Sequence, residues 1–277
     1  MLSILHRLIF GLLSGVTEFL PVGAQPHQNI YAYITKFNDN DPWLKFYVLL
    51  GAFIALMVSL RHQFYDIHQA KKSYRYSQRR KQRGSCPMGV QTARLYKIAM
   101  IPMLISAVFY GVAQNIGTYF PGLIMLLLLN GFFLILPRVL PSGNKDGRTM
   151  TGVDAIFMGI GAALGVIPGL SRIGVGCAMG EAKGGKASYV LEIVLLATVW
   201  PLAVVMLFTL FGAMTSMTSV GWDMILADMG AALMSFAGAW FGIRAVRWIS
   251  SKYSLYKFAF YSWTFSLLLF ILYMFVV

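Results

Sequence analysis

Apolar runs alternate with short polar segments along the whole chain, and two of the runs are cut in the same way. Residues 2–20 form an apolar helix that ends at Pro21. A polar turn, GAQPHQN, follows, and then a short helix to about residue 37. After the polar stretch 38–41, Pro42 suits the first turn of a helix. Residues 43–60 are predicted as a full span, with Trp43 at one interface and Arg61 at the other. Residues 61–97 contain KKSYRYSQRRKQRG, too polar for a bilayer, and are expected as a partly helical or flexible loop. Residues 98–113 read as a second span, kinked near Pro102, and residues 114–121 as an uncharged turn. Residues 120–136 read as a third span. The plan then recurs: residues 152–167 are apolar and stop at Pro168-Gly169, and a short helix begins near Ser171 and returns to a basic turn with Lys183 and Lys186. Spans are expected at 187–212, 224–243 and 258–277.

The two interrupted runs are FGLLSGVTEFLPVGAQPH, from Phe10, and FMGIGAALGVIPGLSRIG, from Phe157. Laid 147 residues apart, Phe10 meets Phe157, Pro21 meets Pro168, Ala24 meets Ser171 and Gln25 meets Arg172. Both are glycine-rich and break at proline, with polar groups at the break: Glu18, Gln25 and His27 in one, Ser171 and Arg172 in the other. Paired broken helices, one in each half, are the pattern of an inverted-repeat membrane protein whose site lies between the breaks. Irregular backbone at membrane depth is tolerated only when buried in protein or lining a wet cavity. The active or binding site is therefore expected at these two breaks.

Composition sharpens this. Of 277 residues, 58% are hydrophobic and only 12% charged, against about 25% charged in soluble domains. The chain reads as an all-α integral membrane protein, and runs of this length argue against a β-barrel. The opening segment lacks a small-residue cleavage site and holds Glu18, so it is not expected to be a cleaved signal. The net charge of +13 is concentrated in four connections, at 61–97, 138–150, 181–187 and 244–257. That is a cytoplasmic, positive-inside pattern near anionic lipid, and it argues against a nucleic-acid partner. With all four on one side, each half holds one re-entrant helix pair and three spans. Three is odd, so the second half (138–277) is inverted relative to the first (1–137), and both termini fall outside. Cys86 and Cys177 form no metal spacing.

Several side chains carry candidate chemistry. Arg172, at the start of a short helix, suits a phosphate, since a helix N-terminus favours anions and a guanidinium grips phosphate with two bonds. The alternative is an ion pair with Glu18 or Asp154. Glu18 is a candidate base, metal ligand or partner of Arg172. His27 is a candidate proton donor, ligand or nucleophile, or simply a hydrogen-bonded turn residue. Ser171 reads first as a helix cap, and otherwise as a phosphate donor or nucleophile. Asp154 reads as a cap of the following helix. Glu192 is either a cavity residue or a neighbour of the turn at Lys186.

At these residues the chain resembles a known family, the undecaprenyl-diphosphate phosphatases of bacterial envelopes, also called bacitracin-resistance proteins. SGVTEFLPVGAQPH is similar to the family's first motif, and DAIFMGIGAALGVIPGLSRIGVG to its second. GAFIALMVSLR after residue 50 looks like the family's first span, and the resemblance runs the length of the chain. It implies inverted repeats with two re-entrant pairs in the bacterial plasma membrane, and removal of the terminal phosphate of undecaprenyl diphosphate, recycling the envelope lipid carrier. It implies a divalent cation, Mg²⁺ or Ca²⁺, with Glu18 as a ligand, and it leaves room for a homodimer. By position, Glu18, His27, Ser171 and Arg172 would be catalytic, and Arg172, Ser171, Gly169 and Gln25 would hold phosphate. The departures are Ser14 for an acidic or amide residue, Gly23 and Ala24 for a serine pair, Gln25 for the next hydroxyl, Pro26 for a glycine, Ala162 for a glutamine, Ile173 for a serine and Gly176 for a threonine. They remove hydroxyls and a carboxylate from the motif. The alternative function is therefore a polyprenyl-phosphate binding protein or transporter that has lost the hydrolytic chemistry.

Overall fold

The computed structural model describes residues 2–38, 41–79, 86–116, 119–140, 143–216 and 222–276. Among these residues every regular element is helical: α1 (Leu2–Phe19), α2 (Ala24–Thr35), α3 (Pro42–Arg79), α4 (Met88–Val108), α5 (Tyr110–Ile116), α6 (Phe120–Val139), α7 (Gly152–Ala163) with a 3₁₀ turn at Leu164–Val166, α8 (Arg172–Ala182), α9 (Ala187–Thr215), α10 (Trp222–Lys252) and α11 (Lys257–Val276). Five of them, α3, α6, α9, α10 and α11, are long and apolar enough to cross a membrane, as expected of an all-α integral membrane protein. By contrast α2, α7 and α8 have 12, 12 and 11 residues. At 1.5 Å per residue each reaches about 18 Å or less, well short of a hydrocarbon core of about 30 Å.

Two expectations are corrected. The first span does not end at residue 60. Helix α3 continues to Arg79, 38 residues in all, because no glycine or proline between 61 and 79 stops it. Its distal half packs on the start of α4, where a Cβ added to Gly89 would stand 2.8 Å from the Ala70 Cβ, and Ile67 and Ala93 are buried. Much of the expected loop is thus a helical hairpin; residues 80–85 of it lie outside the described residues. The span expected at 98–113 is divided. At Phe109 the α-helical bonding lapses into a tight turn, Phe109 N–H donating to the Ser106 carbonyl at 3.0 Å. Pro102 lacks an N–H for the ladder, and the Ser106 hydroxyl donates back to the Met103 carbonyl at 2.9 Å. The expected turn at 114–121 accordingly begins inside α5.

Small residues set the helix pairings. Helix α1 lies on α10, where a Cβ on Gly11 or Gly15 would strike the carbonyl of Ala231 or Ser235. Helix α7 lies on α4 in the same manner, Gly159 against the Ala99 carbonyl. Helix α3 packs on α10 and α9 on α4, while α3 also meets α9 and α6 meets α11. Away from these seams a buried cluster ties α1 to α10, Arg7 pairing with Asp41 at 2.7 Å and with the fully buried Asp228.

The two breaks touch each other. Gly23 and Gly169 both have positive φ, 72° and 98°, and a Cβ on Gly23 would stand 2.9 Å from the Gly169 carbonyl oxygen. The Ser171 hydroxyl donates to the Leu20 carbonyl at 3.0 Å. Asn130 of α6, with no exposed surface, bridges both segments. Its amide donates to the Pro21 carbonyl at 3.3 Å and to the Ser262 hydroxyl at 3.0 Å, and its oxygen accepts the Ser171 N–H at 2.9 Å.

Two substitutions check this packing by thermal unfolding in detergent. Gly15→Ala is expected to lose about 1–3 kcal/mol through overpacking, whereas Gly212→Ala, with nothing within 4 Å, is expected to lose none; equal midpoints would contradict the α1–α10 contact. Asn130→Leu strands the Pro21 carbonyl and the Ser171 N–H, at about 1–3 kcal/mol for each buried unpaired group. A parent-like midpoint for it would show that Asn130 does not join the breaks.

Candidate functional site

A cavity of about 620 Å³ opens where the breaks meet, within the range of small-molecule sites. Helical spacing decides what each wall presents. Helix α1 turns Phe10, Ser14, Thr17 and Glu18 to it, one face at i, i+4, i+7 and i+8. Helix α3 offers Lys45, Val48, Leu49 and Ala52, again a single face. Helix α5, redirected by the turn at Phe109, brings Tyr110 and Gln114. The two breaks supply Gly23, Ala24 and Gln25 from one side and the run 165–172 from the other.

Arg172 and Glu18 pair across the cavity, Nη1 to Oε1, at 3.3 Å, with side chains only 13% and 20% exposed. The two alternatives for Arg172 thus resolve toward Glu18; Asp154 is elsewhere. An arginine and a carboxylate this deep in an apolar chain mark a functional site by default. Ser171 caps α8, accepting from the Gly174 N–H at 3.0 Å while its own proton goes to Leu20. Its hydroxyl is committed to structure even though the residue lines the cavity. Gly169 lines it too, in the left-handed conformation that brings the chain into α8. Gln25 lines the cavity and hydrogen-bonds Gln114, joining the first break to α5.

His27 is not brought to the cavity wall. Its Nδ1 lies 2.7 Å from the Gly23 carbonyl and its Nε2 2.7 Å from the Tyr261 hydroxyl. A carbonyl only accepts, so Nδ1 carries a proton, and in the neutral ring Nε2 accepts from Tyr261. The ring stacks on Phe265 at 4.4 Å between centroids. In this arrangement His27 fastens the first break to α11.

Other sequence candidates fall outside the cavity. Asp154 forms a capping box with Thr151 and pairs with Lys145 at 3.2 Å. Glu192 pairs with Arg247 at 3.0 Å and shares a second cavity of about 440 Å³ with Lys186, so both readings of it hold. Cys86 is exposed and Cys177 buried, both free. Sequence reasoning missed Lys45, Tyr110, Gln114 and Asn130. The usable signals were the lone amide within LLLLNGFFLIL and a lysine in phase with the small and apolar face of α3.

The donor set does not build a cage for a divalent cation. Among the described residues no three His, Cys, Asp or Glu side chains converge. Among the described residues the cavity offers one carboxylate, Glu18, already engaged by Arg172, and the Ser14 hydroxyl, which is buried without a described partner. Mg²⁺ wants near-octahedral oxygen coordination, so most ligands of any such ion would have to come from phosphate oxygens and water.

The family model described as bacitracin resistance protein BacA matches residues 7–268. An undecaprenyl-diphosphatase of Methanobrevibacter smithii is 29% identical over 290 residues, covering 97% of each chain. Undecaprenyl-diphosphatases of Halothermothrix orenii and Thermodesulfovibrio yellowstonii are each 24% identical, covering 98% of both chains in the first case and 99% of this chain and 98% of the relative in the second. With the match spanning nearly the whole sequence and both breaks inside it, the chain belongs to the bacitracin resistance protein BacA family.

Proposed function

We propose that this protein removes the terminal phosphate of undecaprenyl diphosphate, recycling the envelope lipid carrier, at the cavity between the two breaks. The observation that carries this is the Arg172–Glu18 pair at the N-terminal end of α8, inside that cavity. A diphosphate entering there competes with Glu18 for the guanidinium, which binds phosphate oxygens with two parallel bonds. The positive end of α8 adds to the attraction. Glu18, released from Arg172, is then placed to orient a water and take its proton. Water attacks the terminal phosphorus, the bridging P–O bond breaks, and undecaprenyl phosphate and inorganic phosphate leave. With Gly23 and Ala24 at the first break and the Ser171 proton held by Leu20, water rather than an enzyme hydroxyl is the nucleophile. Phosphoryl transfer depends chiefly on positioning and charge stabilisation, so a short list of groups suffices. His27 acts as a positioning residue through Gly23 and Tyr261.

We further propose the inverted-repeat topology: first half 1–137, second half 138–277, each with a re-entrant pair, α1–α2 and α7–α8. The pairings support it, because exchanging α1 with α7, α3 with α9, α4 with α10 and α6 with α11 maps the contacts among these eight helices onto themselves, while the packing of α8 on α6 and α9 has no equal at α2. The short α2, α7 and α8 support re-entrant pairs. The basic connections support a cytoplasmic hairpin of α3 and α4, with both termini outside the plasma membrane.

The test is phosphate release from undecaprenyl diphosphate by purified protein. Arg172→Ala and Glu18→Ala are each expected to lower kcat by about a hundredfold or more, the scale of one preorganised electrostatic group. Folded parent protein that binds the lipid and never releases phosphate would sink this reading. The hydroxyl-free first break would then favour a polyprenyl-phosphate binding protein or transporter.

A further inference from the structure

We infer that the Tyr110 phenol, on α5, holds the lipid diphosphate beside Arg172 by donating a hydrogen bond to a phosphate oxygen. The inference rests on the reading above that a diphosphate occupies this cavity, and it draws a binding residue from outside both breaks.

The hydroxyls that line the cavity carry the argument. The first break presents Gly23, Ala24 and Gln25, which have none. Thr17 donates to the Leu13 carbonyl at 2.7 Å, Ser171 to the Leu20 carbonyl at 3.0 Å and Ser235 to the Val48 carbonyl at 2.7 Å. Those three protons are engaged by backbone before any ligand arrives. Ser14 is buried, at 2% exposure. Tyr33 is mostly exposed, and its ring packs on Phe120. Tyr110 differs from all of these. Among the described residues no hydrogen bond engages its hydroxyl, and the phenol lies within electrostatic reach of both Glu18 and Arg172.

Local structure holds it there. The turn at Phe109 sets the direction of α5, and Tyr110 and Gln114, at i and i+4, share the face that lines the cavity. Gln114 hydrogen-bonds Gln25, so the first break fixes that face toward the site. A phosphate oxygen that displaces Glu18 from the Arg172 guanidinium enters the space that the phenol already shares with the pair. A phenol keeps its proton at neutral pH and can donate it, and a hydrogen bond to a charged oxygen is about twice as strong as one between neutral groups. Arg172 supplies charge and two parallel bonds from the second break, and Tyr110 supplies a bond from a separate helix. The phosphates are then held from two elements, although the first break itself has no hydroxyl to offer.

The experiment measures binding of undecaprenyl diphosphate to detergent-purified parent and Tyr110→Phe by calorimetry, and displacement of that lipid by inorganic diphosphate. The substitution removes one oxygen and keeps the ring, so the thermal midpoint is expected to match the parent's. Tyr110→Phe is expected to weaken both ligands by a similar factor of about tenfold or more, the scale of one charge-assisted hydrogen bond. Parent-like affinity of the variant for both ligands overturns the inference and leaves the phosphatase reading intact. So does a loss confined to the lipid, which would put Tyr110 on the hydrocarbon chain, and so does inorganic diphosphate that never displaces the lipid from the parent. Folded parent protein that does not bind the lipid overturns both. A parent that binds the lipid and never releases phosphate sinks the phosphatase reading alone, and a loss of both ligands in Tyr110→Phe then still supports the phenol as a phosphate ligand.

Discussion

Backbone polar groups at membrane depth need partners inside the protein, and this structure is arranged around the place where two helices end without them. In hydrocarbon each unsatisfied N–H or carbonyl costs several kcal/mol. Here the groups left over at one break are met from the other. Leu20 accepts from the Ser171 hydroxyl, and Asn130 covers the Pro21 carbonyl and the Ser171 N–H. Each break therefore depends on the opposite half of the chain. The apposition that satisfies the backbone also sets Glu18, one turn before the first break, against Arg172, at the start of the helix that follows the second. Site and scaffold share one set of contacts.

That arrangement explains what the sequence discloses and what it does not. Proline and glycine tend to interrupt an apolar run, so Pro21 and Pro168, 147 residues apart, mark both breaks. Glu18, Ser171 and Arg172 are legible for the same reason, because they lie within a turn of the interruption. Direction is less legible than proximity. His27 is also near its break in sequence, but it sits one helical turn beyond Gly23, bonds back to that carbonyl and faces Tyr261 and Phe265. Polarity was a poor guide to the end of α3, since a helix leaving the bilayer stops only at a breaker, and residues 61–79 have none. Lys45 escaped notice because a lysine in a first turn, near an interfacial tryptophan, reads as an interface anchor until its neighbours on the same face are known to line a cavity.

The buried cluster of Arg7, Asp41 and Asp228 bears on the site although it lies outside the cavity. It fastens α1 and the start of α3 to α10, and α1 and α3 carry Glu18 and Lys45. Buried ion pairs add little net stability compared with apolar packing, because desolvation offsets their attraction. They do fix register, since a slipped helix would strand a charge. Here the glycine seam at Gly11 and Gly15 permits α1 to approach α10 closely, and Arg7 selects one register along that seam. The Glu18 carboxylate is thus held in place from about three turns away by a contact outside the cavity.

The serine pair that the family motif places at residues 23 and 24 gives way here to glycine and alanine, and the geometry makes this more than a loss of hydroxyls. Gly23 has φ 72°, a conformation that L side chains rarely adopt. Any Cβ there would stand 2.9 Å from the Gly169 carbonyl oxygen. A serine at 23 would therefore require the two breaks to move apart, and with them the bonds from Ser171 and Asn130. This chain closes its breaks more tightly than a serine would allow. In exchange it gives up a side-chain hydroxyl at that position, and Glu18 and Arg172 remain as the charged pair beside the breaks. The changes at Gly23 and at the hydroxyl-free Ala24 are then parts of one alteration, from a first break that offers side-chain oxygens to one that offers a close backbone contact.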